Sequence, residues 1–321
     1  MKRFATALVA AIAALGLATA GAEDKKQISI GTGGTGGVYY ILGGGLAALL
    51  SKSIPGLEAT AEVTAGSIAN LQLIGGGKSE VAFTMADAAW DAQNGFEKFK
   101  GHAVPLRTVV VFYPNRMHVV TVEGTGVNTF KDLKGKRVST GAPASGTEIT
   151  AMRLIEAFGL DPNKDMTRER LSVAESVSAL KDGKIDAFFW VGGVPTPSVS
   201  DLAATPGKKI KLIDHGDGVE AMRKKFGPLY VKNQILANAY PGETRDTTNL
   251  DVWNLLVVSE KADEKLVYEI TKTLFEKKDE LVKVHKDAGF LELANQASGG
   301  SPIPFHPGAA RYLKEKGITV K

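Results

Sequence analysis

Apolar and polar residues follow one another along the chain in patterns that predict alternating strands and helices. Residues 27–30 predict a strand, 38–51 a helix, and the strict alternation over 58–64 a half-buried strand. Ser67 is placed to cap a helix that reaches residue 74, and 81–84 predicts a buried strand. This order of strand, helix, strand, helix, strand is typical of a parallel sheet covered by helices.

The same order of elements returns in the second half of the chain. Residues 137–141 predict a strand that leads through a loop of small residues into a helix ending at Phe158. Further strands are predicted around 170–173 and at 185–190, with a short helix at 175–180 between them. The chain is long enough for two domains of ordinary size. We therefore expect two similar α/β lobes.

Two β-rich stretches are suited to connect the lobes. The runs 107–113 and 118–122 flank Pro114, and a further run covers 252–258. Two crossings of the chain would form a hinge, about which a cleft could open and close. We assign residues 23–114 and 252–321 to lobe 1 and residues 115–251 to lobe 2.

The N-terminus has the three parts of a secretory signal peptide. Lys2 and Arg3 precede an apolar run over 4–18, and small-residue cleavage sites follow at 18–22. The run is short for a membrane span. Because the sequence contains no cysteine, a lipid anchor on cysteine and disulfide bonds are both excluded. We expect residues 1–22 to be removed and the mature protein to be located in the periplasm.

Charge and histidine spacing exclude several classes of function. The formal net charge is +4, and removal of Lys2 and Arg3 lowers it to 4 − 2 = +2. So small an excess indicates no nucleic-acid partner. The five histidines are widely separated and no cysteine is present, so no metal site is expected. We also expect no catalytic residues and no cofactor.

A glycine-rich loop between the first strand and the first helix allows two interpretations. Residues 31–36 fit the G-x-G-x-x-G pattern of dinucleotide-binding proteins, which makes a dinucleotide-dependent enzyme one alternative. However, the next strand ends at residues 63–66 without the acidic residue that would bind a ribose. The loop also offers backbone amides at a helix start, as do 65–67 and 144–147. Such helix starts favour a bound anion.

Asp87 and Trp190 each follow a predicted buried strand, and each has two interpretations. Asp87 either faces the cleft or caps a helix that begins at Ala88, and capping is slightly favoured. Trp190 either forms an aromatic wall of the cleft or packs in the core.

Several segments together resemble the TAXI solute receptors of TRAP transporters. These segments occur in the expected order over nearly the whole mature chain: residues 31–40, 66–67 with 70–71, 132–138, 141–148, 182–189 and 306–312. The resemblance implies an α/β type II-like periplasmic-binding-protein fold, in which each lobe is a mixed, mostly parallel sheet flanked by helices. It also implies a monomeric receptor that binds a small anionic organic ligand, such as glutamate, 2-oxoglutarate or a related carboxylate. The implied partner is a TRAP membrane permease, and a sensor for a membrane kinase is the alternative.

The resemblance also implies which residues contact the ligand. Carried over by position, they are Thr35, Gly36, Tyr39, Ser67, Asn70, Ser145, Gly146 and Thr147. The chain departs from many relatives at Met85, where they have a glutamine two residues before the match to Asp87. If Met85 faces the cleft, it replaces a polar donor with an apolar side chain, which favours a less polar carboxylate over an amino acid.

Overall fold

The computed structural model describes residues 25–321, and the predicted signal peptide at 1–22 lies outside them. The strands are β1 Lys26–Gly31, β2 Leu57–Glu62, β3 Val81–Met85, β4 Leu106–Val122, β5 Arg137–Ser139, β6 Thr167–Glu169, β7 Ala187–Gly192, β8 Ile210–Leu212, β9 Tyr230–Ile235 and β10 Thr247–Ser259. The helices are α1 Val38–Ser53, α2 Ser67–Gly75, α3 Ala86–Asn94, α4 Gly146–Ala157, α5 Val173–Lys181, α6 Pro197–Ala203, α7 Val219–Phe226, α8 Glu264–Glu276, α9 Lys278–Val284, α10 Leu293–Gln296 and α11 Pro307–Glu315.

Two sets of parallel strands are joined through the long antiparallel strands β4 and β10. The order across the sheet is β2-β1-β3-β10-β4-β7-β5-β6, with β8 paired to β4 and β9 paired to β10. Within each set the strands run parallel, β1 beside β2 and β3, and β5 beside β6 and β7. Helices connect the parallel strands, as the strand and helix patterns predict. The predicted α/β architecture with mixed, mostly parallel sheets is confirmed.

Strands β4 and β10 each extend through both lobes. The first part of β4 pairs with β10 in lobe 1, and its second part pairs with β7 in lobe 2. The chain continues as one strand through Pro114, and a register shift in β10 between Trp253 and Leu255 accompanies it. Both proposed lobe boundaries, 114/115 and 251/252, fall within these two strands.

The strand predicted around 170–173 lies elsewhere. Strand β6 occupies Thr167–Glu169, and α5 already begins at Val173. Ser172 accepts a hydrogen bond from the Glu175 N–H, while the Glu175 carboxylate accepts one from the Ser172 N–H. This capping box starts the helix. The prediction was wrong because the apolar residues Leu171 and Val173 flank an S-x-x-E pattern, and this pattern starts a helix.

Side chains of lobe 2 are buried on both faces of its sheet. Val119 and Phe189 pack into the core that continues into lobe 1, while their neighbours Val120 and Phe188 pack into a second core on the opposite face. Burial on both faces is what parallel strands covered by helices require. Within residues 25–321, no helix is both long enough and apolar enough to cross a bilayer.

Candidate functional site

A small cavity lies between the two lobes, where β1, β3 and β7 end. Its volume is about 40 Å³, and none of the described residues that line it carries a formal charge. The side chains in its wall are Val38, Tyr39, Ser67, Met85, Tyr113, Ser145, Thr147, Trp190 and Val191. A groove of about 580 Å³ exists on lobe 2, but it is open to solvent. In α/β sheets ligands bind at the carboxyl ends of the strands, so the interlobe cavity is the candidate site.

Four helices begin at this cavity. The residues that precede α1, α2, α3 and α4 all line it, and they are Gly37, Gly66, Met85 and Ser145. The residues that precede the first three helices provide no side-chain cap, whereas the Ser145 hydroxyl accepts a hydrogen bond from the Glu148 N–H at the start of α4. Two amides at these helix starts are engaged within the protein, the Ala69 N–H by the Ala144 carbonyl and the Ala88 N–H by the Asp87 carboxylate. The dipoles of the four helices favour an anion in the cavity, whose described wall contains no cationic side chain.

The structure brings together most, but not all, of the residues selected from the sequence. Those that line the cavity are Tyr39, Ser67, Met85, Ser145, Gly146, Thr147 and Trp190. Thr35 is exposed, and the Gly36 carbonyl accepts a hydrogen bond from the Ser198 N–H of lobe 2 at 3.3 Å. Asn70 and Asp87 are buried outside the cavity wall.

Asn70 positions the loops around the cavity. Its amide nitrogen donates to the Thr32 carbonyl at 2.7 Å and to the Phe83 carbonyl at 2.8 Å. Its amide oxygen accepts a hydrogen bond from the Thr64 hydroxyl at 2.7 Å. With both amide atoms engaged, Asn70 ties the ends of β1, β2 and β3 together beneath α2.

Ser67 was wrongly predicted to cap α2. Gly66, at φ 115°, precedes the helix, and Ser67 is its first residue. The Ser67 hydroxyl instead accepts a hydrogen bond from the Met85 N–H at 3.2 Å. The Met85 side chain reaches across the cleft, since a Cβ on Gly146 would collide with its methyl group. Met85 thus faces the cavity and gives it an apolar wall.

Trp190 explains one glycine of the loop that precedes α1. The indole N–H donates to the Thr196 hydroxyl at 2.8 Å, which fixes the ring. A Cβ on Gly37 would lie 2.8 Å from the ring, so only glycine permits this approach. The contact joins lobe 1 to lobe 2. It explains why position 37 is a glycine, and no bound nucleotide is needed for that explanation. Trp190 lines the cavity and also packs against the second core of lobe 2, so each of its two interpretations describes part of its contacts.

Direct contacts hold the lobes in a closed arrangement. The Ala69 N–H donates to the Ala144 carbonyl at 3.1 Å, and the Val194 N–H donates to the Asp287 carboxylate at 2.8 Å. Both bonds join lobe 1 to lobe 2. The structure is therefore that of the closed cleft.

A buried ionic cluster adds a further contact between the lobes. Arg153 of α4 lies 2.6 Å from Asp91 and 3.6 Å from Asp87, both on α3. The Tyr230 hydroxyl donates to the Asp87 carboxylate at 2.9 Å and accepts from the Arg153 guanidinium at 2.9 Å. Burial raises the pKa of Asp91 to about 6, and the charge of Arg153 opposes that rise. Asp91 is thus mainly ionised at neutral pH and attracts Arg153.

Asp87 takes part in this interlobe cluster and also accepts a hydrogen bond within its own helix. Its other carboxylate oxygen accepts the Ala88 N–H at 2.8 Å. The helix begins at Ala86 rather than Ala88, so Asp87 is its second residue and not its cap. The helix capping predicted for Asp87 was therefore wrong in its position.

The fold is that of type II periplasmic solute-binding proteins. The chain resembles the alkanesulfonate-binding protein SsuA from Xanthomonas axonopodis pv. citri bound to MOPS, with 18% identity, 90% of this chain and 83% of that chain covered, and a TM-score of 0.52. A putative L-cystine ABC transporter from Listeria monocytogenes has 17% identity and a TM-score of 0.50, and the comparison covers 84% of this chain and 98% of that chain. An ancestral arginine-binding protein bound to arginine has 14% identity and a TM-score of 0.50, and the comparison covers 82% of this chain and 98% of that chain.

The chain belongs to the NMT1-like family, whose profile matches residues 30–317. The match therefore includes the end of β1, all the other parallel strands and all the residues that line the cavity.

Replacement of Gly37 should disturb the closed cleft. In Gly37→Ala the new methyl group collides with Trp190, and overpacking of this kind costs about 1–3 kcal/mol. The collision is relieved either by partial destabilisation or by opening of the lobes. Thermal unfolding and small-angle X-ray scattering should show a lower melting temperature or a larger radius of gyration. Gly34→Ala is the control, because a Cβ there meets no atom within 4 Å. Identical behaviour of both variants would contradict the contact.

Loss of Arg153 should leave two buried carboxylates without their counter-charge. Breaking a buried ion pair from one side costs about 3–5 kcal/mol. Arg153→Met should therefore lower the free energy of unfolding in urea at pH 7 by several kcal/mol, less if opening of the lobes rehydrates the acids. Arg137→Met is the control, since the Arg137–Asp186 pair is partly exposed and lies within lobe 2. A loss no greater than in the control would show that the cluster does not stabilise closure.

Proposed function

We propose that this protein is an extracytoplasmic receptor that binds a small carboxylate between its lobes and delivers it to a membrane transporter. The observation that carries the proposal is the meeting of four helix N-termini at one interlobe cavity. A carboxylate is small, is anionic at neutral pH and accepts several N–H bonds, so it suits such a site. Closure of the lobes would remove it from water.

The composition of the cavity wall favours an organic acid over an amino acid. The described residues of the wall include no Asp or Glu, so the ammonium group of glutamate would be buried without a counter-charge. Val38, Met85 and the Trp190 ring suit an apolar carbon skeleton. A 2-oxo acid such as 2-oxoglutarate, or a smaller relative such as pyruvate, avoids the buried ammonium.

The size of the closed cavity limits the ligand. A cavity needs roughly 10–15 Å³ to hold one water molecule. A cavity of 40 Å³ therefore has room for about three chemical groups of that size. A second cavity of about 40 Å³ adjoins the first, shares Ser145, Thr147 and Trp190 with it, and adds Thr64 and Ser172. A short monocarboxylate fits the first cavity, and a longer acid would extend into the second.

Transport by a TRAP permease is the partner assignment that we favour. It rests on the resemblance of the glycine-rich loop, the 141–148 segment and the C-terminal 306–312 segment to TAXI receptors. The predicted signal peptide is consistent with delivery of the solute in the periplasm. A closed, ligand-bound receptor would present a surface formed by both lobes to the permease.

A thermal-shift panel tests the ligand class. Pyruvate, 2-oxoglutarate and glutamate should be compared with pyruvamide, which lacks the charge of pyruvate. A ligand at 100 times its Kd stabilises the folded state by about 2.7 kcal/mol, so the melting temperature should rise by several degrees. We expect the 2-oxo acids to raise it more than glutamate and pyruvamide to have little effect. No shift with any of the acids, or an equal shift with pyruvamide, would contradict the proposal.

A further inference from the structure

The cavity wall contains a buried hydroxyl without a hydrogen-bond partner among the described residues. Tyr113 on β4 is fully buried and lines the cavity, and its phenol oxygen has no partner there. The other two fully buried tyrosines are engaged: Tyr230 with Asp87 and Arg153, and Tyr240 with His118 and Thr196. Tyr113 therefore differs from Tyr230 and Tyr240 in a way that calls for a physical explanation.

The ring of Tyr113 is held by a series of aromatic contacts. Tyr39 stacks on Phe83 with ring centroids 5.3 Å apart, and Phe83 stacks on Phe112 at 5.7 Å. Phe112 meets the edge of Tyr113 at 5.6 Å. These contacts would hold a phenylalanine at position 113 equally well. The hydroxyl contributes nothing to this packing.

A buried hydroxyl without a partner is unfavourable because it has lost its hydrogen bonds to water. Phenylalanine would fill the same space without this cost. The hydrogen-bond partner that offsets this cost must therefore be a group that enters the cavity. Burial raises the pKa of Tyr113, and Tyr39 and Asp287 add to the rise. The phenol therefore keeps its proton and can donate a hydrogen bond to an acceptor.

A second unpartnered polar group lies near this part of the cavity. Both amide atoms of Asn254 are buried without a partner in the described part of the chain. Asn254 is directly opposite Met85 in the antiparallel pairing of β10 and β3, so the two side chains are on the same face of the sheet. Met85 lines the cavity. Asn254 does not itself line the cavity, but its unpartnered amide is on the face of the sheet from which Met85 reaches the site.

We propose that Tyr113 is a ligand-binding residue whose phenol O–H donates a hydrogen bond to a carboxylate oxygen of the bound solute. This inference rests on the proposed function and adds a donor from the hinge strand to the amides of the four helix starts. The acceptor is an anionic oxygen, because the surrounding helix ends favour negative charge. Since β4 passes through both lobes, a ligand bound to Tyr113 contacts the hinge itself.

Titration calorimetry of Tyr113→Phe tests the assignment, with pyruvate and 2-oxoglutarate as probes. Loss of one hydrogen bond to a charged group should weaken binding of the better probe by about 10- to 100-fold. In the absence of ligand the melting temperature should not fall, because the lost hydroxyl has no partner to lose. Tyr312→Phe is the affinity control, since Tyr312 is in α11 and does not line the cavity. Its Kd should equal that of the wild-type protein.

Tyr240→Phe supplies the contrast for stability. It loses hydrogen bonds to His118 and to the Thr196 N–H, so its melting temperature without ligand should fall. A similar fall in Tyr113→Phe would overturn the inference, because the hydroxyl would then have a partner within the protein. Equal affinity of Tyr113→Phe and wild type would overturn it while leaving the proposed function intact. If the wild-type protein binds neither acid, the proposed ligand class fails and the inference fails with it.

Discussion

The site depends on one constraint, which is that β4 and β10 each belong to both lobes. Because these two strands connect parallel sheets of similar construction, the strand ends of both lobes face one cleft. Helices α1, α2 and α3 then begin on one side of it and α4 on the other. The position of the cavity, the proposed hinge and the proposed preference for an anion therefore all depend on the same pair of strands.

Charge is distributed around the cavity rather than within it. Near the cleft, Arg153 is paired with Asp91, Arg168 and Arg170 are both paired with Glu148, and Arg116 lies 3.7 Å from Asp287. Arg153 and Arg116 each have a carboxylate partner, whereas Arg168 and Arg170 share the one carboxylate of Glu148, and none of the four lines the cavity. In the proposed function the backbone dipoles therefore attract the ligand. A ligand held in this way needs little solvation from water once the lobes close. In the proposed function, release would require the interlobe contacts to break as well, so ligand occupancy would be coupled to domain movement.

The sequence predicted the elements and the loops well because their periodicity and glycine positions are local properties. It could not separate ligand contacts from supports. Asn70 has the residue type and position of a ligand contact, yet backbone carbonyls distant in sequence engage its amide. Tyr113 lies in a β-rich run, where nothing distinguishes a free phenol from a packed ring. Arg153 was missed although Asp87 and Asp91, four residues apart on one helix face, could have indicated a buried cationic partner.

The most direct test of the account is the distance between the lobes as ligand is added. Since the sequence has no cysteine, cysteines at the exposed positions Gln72 in lobe 1 and Ser178 in lobe 2 can carry spin labels without background. Pulsed electron paramagnetic resonance should show the label-to-label distance distribution narrow and shift when pyruvate or 2-oxoglutarate is added, and pyruvamide should leave it unchanged. A distribution that stays the same at saturating carboxylate would contradict binding by closure of this cleft.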